Sequence, residues 1–352
     1  MVRVSSKKGS RRAKNGGVRV SAARRREAKR LVDALEPGAR VALTTHVNAD
    51  GDGVGSEVAL WHMLGAYGIR AAIVNPTPFP SRFDFLLKGA EGADRSKEAA
   101  RYIERADAII VLDIADVGRL GHLGRIVEGT TKPVFCIDHH ASNGRLPPGP
   151  RFVDSQACAT GELLYDLART AGWTFTEEVA TAIYVAILTD TGGFRFSNTG
   201  QRALQVAADL LSYGLRPEEI YQNVYASETE GKIRLIGEVV QTMVVEESLG
   251  LAWVTVPPGS MERLDVDASD LDGVVELPRS IRGVRLAILF RQLANGRIKA
   301  SFRSVGPVDV AALAEQFGGG GHRKASGASL EGDLDTVQTR VLEAARALLR
   351  QQ

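Results

Sequence analysis

Short β-type apolar runs that end in acids or histidines constrain this chain more than any other feature. Ala108-Ile109-Ile110-Val111-Leu112 ends in Asp113, and Val134-Phe135-Cys136-Ile137 ends in Asp138-His139-His140. Val41-Ala42-Leu43 leads to His46, and Arg70–Val74 adds a fourth run. Separated by helical or glycine-punctuated stretches, such runs point to an α/β domain with a mainly parallel sheet flanked by helices. In sheets of that kind ligands sit beyond the carboxyl ends of the strands. Polar residues gathered at several of those ends therefore indicate one shared site.

The stretch Thr45–Ser56 is the densest of these ends, with His46, Asp50 and Asp52 among Gly51, Gly53 and Gly55. It reads as a strand-to-helix turn followed by a helix over Glu57–Tyr67. Glycine there lets backbone approach a ligand, and the helix N-terminus beyond favours an anion. Histidine with two aspartates suits manganese or magnesium. A further acid, Asp190, follows the apolar helical pattern of Glu177–Leu188 and precedes Gly192-Gly193. Of the six histidines, His46, His139 and His140 fall at strand ends and His322 in a glycine run, while His62 and His122 read as structural or surface residues. Strand-end histidines and turn acids in this number indicate a two-metal centre.

At 352 residues the chain is too long for most single cores. We expect a larger domain over residues 31–226, a helical linker over 227–245 and a smaller α/β domain over 246–352. In the last, Val284–Leu293 and Arg297–Val305 flank Asn295-Gly296, a strong hairpin signal. Gly318-Gly319-Gly320-Gly321 is then followed by His322, Arg323 and Lys324. Four successive glycines are not a packing sequence; they read as a nest of exposed N–H groups able to hold phosphate oxygens. Arg303 lies on the second hairpin strand.

Residues 1–30 hold twelve Lys or Arg and one acid, Glu27. The remaining 32 basic and 41 acidic residues leave a net of −9. The first 30 residues read as a disordered basic tail, a solubilising extension that could also contact RNA or other polyanions. The two cysteines, Cys136 and Cys158, form no metal-type pair and no disulfide framework, which with the lack of a long apolar run points to the cytoplasm and no membrane.

His46-x3-Asp50-x-Asp52-x2-Gly55-Ser56, Asp113, Asp138-His139-His140, Asp190 and Gly318–His322 together resemble the DHH phosphoesterase superfamily with its DHH-associated C-terminal domain. The resemblance covers about residues 32–350 and is nearest to the bacterial oligoribonuclease and 3′-phosphoadenosine-5′-phosphate (pAp) phosphatase branch. It implies that His46 and Asp50 bind a first metal, and that Asp52, His139 and Asp190 bind a second, with Asp113 bridging. Asp138 would orient ligands, and His140 would face the scissile phosphate. Arg303, Gly319, Gly320, Gly321, His322 and Ser326 would hold the substrate, and Arg195 and Asn198 lie close enough in sequence to touch it. The active site would lie in a cleft between the domains.

The implied activity is hydrolysis of short oligoribonucleotides to mononucleotides, and of pAp to AMP, by a hydroxide that two divalent ions hold against phosphorus. Manganese fits an Asp and His ligand set without thiolate, with magnesium or cobalt as substitutes. The alternatives are a phosphodiesterase for cyclic di-AMP or its linear dinucleotide, and a non-catalytic nucleotide- or RNA-binding protein that retains the fold. Family resemblance also suggests a homodimer.

Overall fold

The computed structural model describes residues 18–141, 144–271 and 273–351. The chain divides into two compact units, with the boundary between Ser227 and Glu228. In the first, the elements in order are α1 (Ala22–Asp33), β1 (Arg40–Thr44), α2 (Gly51–Ala66), β2 (Arg70–Ile73), α3 (Ala99–Arg105), β3 (Ala108–Leu112), α4 (Gly124–Gly129), β4 (Val134–Asp138), β5 (Arg151–Val153), α5 (Thr160–Ala171), α6 (Glu177–Asp190), α7 (Gln201–Leu211) and α8 (Pro217–Tyr225). The five strands form one sheet in the order β2-β1-β3-β4-β5. Every pairing in it is parallel.

The central strands β1, β3 and β4 feed both faces of that sheet, as their twofold side-chain period requires. Val41, Leu43, Ile110, Leu112, Phe135 and Ile137 join a core built with α1, α2, α5, α6, α7 and α8. Ala42, Ile109, Val111, Val134 and Cys136 face the other way, against α3 and α4. Burial on both faces explains why these runs read as unbroken apolar sequence rather than as alternation.

Two parts of the first unit differ from the sequence reading. Helix α2 begins at Gly51, not Glu57, because the Asp50 carboxylate caps it by accepting from the Asp52 and Gly53 N–H groups, both at 3.1 Å. The glycines of this turn serve packing. A Cβ on Gly51 would lie 2.5 Å from Thr189 Cγ2 of α6, one on Gly53 2.8 Å from Thr45 Oγ1, and one on Gly55 2.6 Å from the Ala182 carbonyl oxygen of α6.

The expected disordered tail is also corrected from Val18 onward. Ser21 caps α1, and Ala28 and Leu31 are buried against the first core. The Arg24 guanidinium enters the protein, with Nε 2.6 Å from Asp154 and Nη1 2.5 Å from Glu162 and 2.9 Å from Asp166. Arg202 closes the cluster from α7, bonding both Glu162 and Asp166. A basic residue read as solvated charge is thus neutralised by buried acids. Residues 1–17 of the expected tail lie outside the described residues.

The second unit contains α9 (Glu230–Gln241), β6 (Val244–Glu246), β7 (Leu251–Thr255), α10 (Ser260–Arg263), α11 (Glu276–Arg279), β8 (Leu286–Gln292), β9 (Ile298–Ser304), α12 (Val310–Glu315), β10 (Gly320–His322), β11 (Ala325–Leu330) and α13 (Leu334–Arg350). Its six-stranded sheet runs β10-β11-β9-β8-β7-β6 and is antiparallel except for β7 beside β8. The helix read as a linker is part of this unit, since Leu235 and Val239 of α9 pack with Ala252, Val254 and Leu289. No helix among the described residues is long and apolar enough to cross a membrane.

Candidate metal centre

His46 lies two residues beyond β1, buried, with Nδ1 2.9 Å from the Val47 carbonyl oxygen. A carbonyl can only accept, so Nδ1 carries the proton and Nε2 presents its lone pair inward. That Nε2 has no hydrogen-bond partner. It lies 3.7 Å from both Asp50 Oδ2 and Asp113 Oδ2. These separations are too long for a hydrogen bond. They leave room for one cation with ligand distances of about 2.0–2.2 Å.

Asp113 follows β3 with φ at 54°, in the left-handed region that aspartate tolerates better than most residues. Its N–H donates to the Ile137 carbonyl at 3.0 Å, which ties it to β4. The two carboxylate oxygens face opposite partners. Oδ2 looks at His46, while Oδ1 lies 3.6 Å from His139 Nε2 and accepts from the Thr160 hydroxyl at 3.1 Å.

His139 Nε2 also lies 3.6 Å from Asp52 Oδ2 and 3.7 Å from Asp190 Oδ2. Asp52, in the first turn of α2, accepts backbone N–H groups from Thr160 at 2.6 Å and Gly161 at 2.9 Å, at the start of α5. Asp190 is the last residue of α6, and Asn198 donates to its Oδ2 at 3.1 Å. Three donor groups form among the described residues, His46 with Asp50 and Asp113, Asp52 with His139 and Asp190, and Asp113 with His139 and His140. His140 stands beside them, but its Nδ1 is committed to Asp138 Oδ1 at 2.7 Å. Asp138 accepts from the Ala115 N–H at 3.1 Å with its other oxygen.

The protonation of the cluster shows its need for positive charge. Burial works against protonated His46, but the carboxylates of Asp113 and Asp50 outweigh it and raise its pKa to about 10. Burial and then repulsion from Asp113, Asp190 and Asp50 push Asp52 well above the usual carboxylate range. Asp190 rises to about 6, by burial first, with His139 opposing and Asp113 adding to it. A site that otherwise binds protons on buried acids, around an unpaired imidazole nitrogen, fits divalent cations.

Thr160 and Gly161, which fix Asp52 and Asp113, were not singled out from the sequence. Their signal is a threonine ahead of Gly161-Glu162 and the apolar run Leu163-Leu164, a helix start that places N–H groups toward an anion. Arg195, by contrast, turns its Nε to the Gly192 carbonyl at 2.6 Å.

In the second unit a cavity of about 550 Å³ is lined by Arg303, Gly319, Gly320, Gly321 and Ser326. Lys299, Ser301 and Arg303 share one face of β9, while Ile298, Ala300 and Phe302 are buried on the other. Arg303 Nε donates to Glu276 at 3.1 Å. His322 belongs to β10, and its side chain lies outside the described residues.

The glycine run has a packing role that the sequence reading denied. A Cβ on Gly319 would lie 2.2 Å from the Gly327 carbonyl oxygen, and one on Gly321 2.7 Å from that of Ala325, so both allow β10 to lie against β11. The Gly318 and Gly319 N–H groups close the end of α12 on Glu315 and Ala314. Only Gly320 combines open space at its Cβ with no positive φ.

Residues 40–187 match the DHH family, N-terminal domain, and residues 251–351 match the DHHA1 domain. A bifunctional oligoribonuclease and PAP phosphatase of Thermus thermophilus is 36% identical over 310 residues, 86% of this chain and 88% of that protein. The chain belongs to the DHH family. A second DHH relative, the bifunctional oligoribonuclease and PAP phosphatase of Bacillus subtilis, is 30% identical over 82% of this chain and 89% of its own length. Among solved structures, an exopolyphosphatase-related protein from Bacteroides fragilis superposes with a TM-score of 0.81 at 28% identity, covering 92% of this chain and 98% of that one. The exonuclease RecJ bound to manganese shares the DHH fold at a TM-score of 0.51 and 15% identity, with 94% of each chain covered.

Proposed function

We propose that this DHH protein is a divalent-metal phosphoesterase that hydrolyses short oligoribonucleotides to mononucleotides and pAp to AMP. The observation that carries the reading is the two-sided Asp113 carboxylate, with one oxygen toward His46 and the other toward His139. The relatives named for oligoribonuclease and PAP phosphatase activity support the substrate class.

We assign His46, Asp50 and Asp113 to one ion, and Asp52, His139, Asp190 and the same Asp113 to another. Manganese suits a donor set of carboxylates and imidazoles without thiolate. Two such ions supply a nucleophile at neutral pH and neutralise charge on the phosphoryl oxygens.

The chain's own residues do the positioning. Thr160 holds Asp113 through its hydroxyl, and the Thr160 and Gly161 N–H groups fix Asp52. The Val47 carbonyl holds the His46 tautomer. Hydrogen bonding to Asp138, against the cost of burial, raises the His140 pKa. The shift widens the pH range over which His140 is an imidazolium, and in that form its Nε2–H is the donor assigned to a phosphoryl oxygen. Arg303, Gly319, Gly320, Gly321, His322 and Ser326 are assigned to the phosphate and sugar groups of the substrate.

Hydrolysis of a matched panel tests this reading. It contains a diribonucleotide, a longer RNA, pAp, cyclic di-AMP and pyrophosphate, each with manganese and with a chelated control. Chelator-sensitive turnover of the dinucleotide and pAp is expected. Preference for cyclic di-AMP would move the same site to second-messenger turnover, and tight nucleotide binding without turnover would make the protein a binder.

A further inference from the structure

The first unit has a cavity of about 380 Å³ at the end of the sheet away from the candidate metal centre. Arg40 and Arg70, the first residues of β1 and β2, pair in register. Neighbours in register project to the same side of a sheet, so Arg40 and Arg70 rise from one face. Ala42 and Ala72, two residues further along the same strands and again in register, leave the floor shallow. Helix α3, only seven residues long, forms the wall with Glu98 before it and Arg101, Tyr102 and Arg105 along it.

The charges do not cancel. Arg40 is answered by Asp107, through Nη2 to Oδ1 at 2.9 Å, and Arg101 by Glu98 at 2.5 Å. Arg70 reaches only the Gly38 carbonyl oxygen, at 3.1 Å. Arg105 has no hydrogen bond or ion pair among the described residues. Two cationic side chains thus remain without a carboxylate partner around a hollow whose floor is alanine and whose wall carries a half-buried tyrosine. A phosphomonoester carries about −1.5 to −2 at neutral pH, which matches that surplus. The alanine floor and Tyr102 suit a flat ring attached to the phosphate, and the volume is within the range of small-ligand sites.

We propose that this cavity binds a nucleoside monophosphate, with Arg70 and Arg105 on the phosphate and the Ala72 and Tyr102 surface against the base. Arg40 begins the strand that leads to His46, about 20 Å away at about 3.3 Å per residue. A mononucleotide is also the product class of the proposed hydrolysis. Product feedback through this cavity rests on that reading, whereas binding itself does not.

Hydrogen exchange on the full chain, with chelator present, tests the assignment with AMP and with inorganic phosphate as separate probes. AMP is expected to slow exchange over residues 70–73 and 99–106, with half-saturation at least tenfold below that of phosphate. R70Q/R105Q is expected to abolish that protection, while Asp113→Asn retains it. R105Q alone removes no bond that the fold uses and is expected to weaken AMP at least fivefold. Protection that survives the double substitution, or that appears only in residues 251–351, overturns the proposal. Equal affinity for phosphate and AMP overturns the nucleotide assignment. Turnover of the diribonucleotide by R70Q/R105Q, read separately, reports on the proposed function alone.

Discussion

Gly55 and Ala182 are in backbone-to-backbone contact, so close that a Cβ on Gly55 would lie 2.6 Å from the Ala182 carbonyl oxygen. This contact sets the approach of α2 to α6, and those helices carry Asp52 and Asp190 to the proposed metal centre. Gly55→Ala is expected to cost about 1–3 kcal/mol by overpacking. It is also expected to weaken metal binding, because it separates two ligands. Gly65→Ala, on the same helix with nothing within 4 Å, is expected to be neutral or stabilising. Thermal melts and metal titration of the two variants check the contrast.

Thr160 touches Asp113 through its hydroxyl and Asp52 through its N–H. Thr160→Val keeps the N–H and the shape but removes the hydroxyl donor. The expected loss is about 10- to 100-fold in metal affinity or turnover, the usual cost of an outer hydrogen-bond partner. Asp113→Asn is expected to lose more than Thr160→Val, and calorimetric metal titration beside dinucleotide hydrolysis ranks the two.

Arg24 is 7% exposed and its partners Glu162 and Asp166 are 2% and 0% exposed. Arg24→Met leaves two buried carboxylates with Arg202 alone, and a loss of about 3–5 kcal/mol is expected. Chemical denaturation measures it. Unchanged stability would mean that the Arg24 ion pairs make no net contribution to the first unit.

The same cluster gives the protein an acid limit. Burial opposes the charged forms of Glu162 and Asp154, but the hydrogen bonds from Arg24 outweigh it and hold both below their ordinary values of 4.5 and 3.8. Depressed carboxylates stabilise fully above those values and lose the contribution as pH falls through the folded ones. Asp166, pushed up by burial, returns part of it on acidification. Melting temperature is expected to fall steeply below about pH 4.5 in the parent protein and less steeply in Arg24→Met.

Gly319 and Gly320 separate packing from ligand access. A Cβ on Gly319 meets the Gly327 carbonyl at 2.2 Å, while one on Gly320 meets nothing within 4 Å. Gly319→Ala is expected to displace β10 and lower stability. Gly320→Ala is expected to melt like the parent yet raise the KM for the dinucleotide, since its Cβ would enter the cavity beside Arg303. Paired melts and kinetics distinguish the two.

Much of this architecture is legible in the sequence because buried parallel strands leave unbroken apolar runs. Asp113 follows β3 immediately, and His139 follows Asp138 at the end of β4. The glycines misled for a physical reason: a missing Cβ looks the same whether a phosphate or another backbone fills the space, and at Gly51, Gly55, Gly319 and Gly321 it is protein. Arg24 misled because its partners lie more than 120 positions away, at Asp154, Glu162 and Asp166. Thr160 escaped notice because its value lies in two bonds to distant aspartates, which no local pattern encodes.

The six donors of the proposed metal centre run from His46 to Asp190, through five strand or helix ends and across 145 residues. A ribosome adding about 5–20 residues per second takes about 7–30 s to produce that span. No fragment released before Asp190 contains the full coordination set. The ion assigned to Asp52, His139 and Asp190 therefore cannot template the early sheet; it joins a unit whose five strands are already made. Metal scarcity in a growing cell would then yield folded, inactive protein that later metal can rescue, rather than misfolded chains.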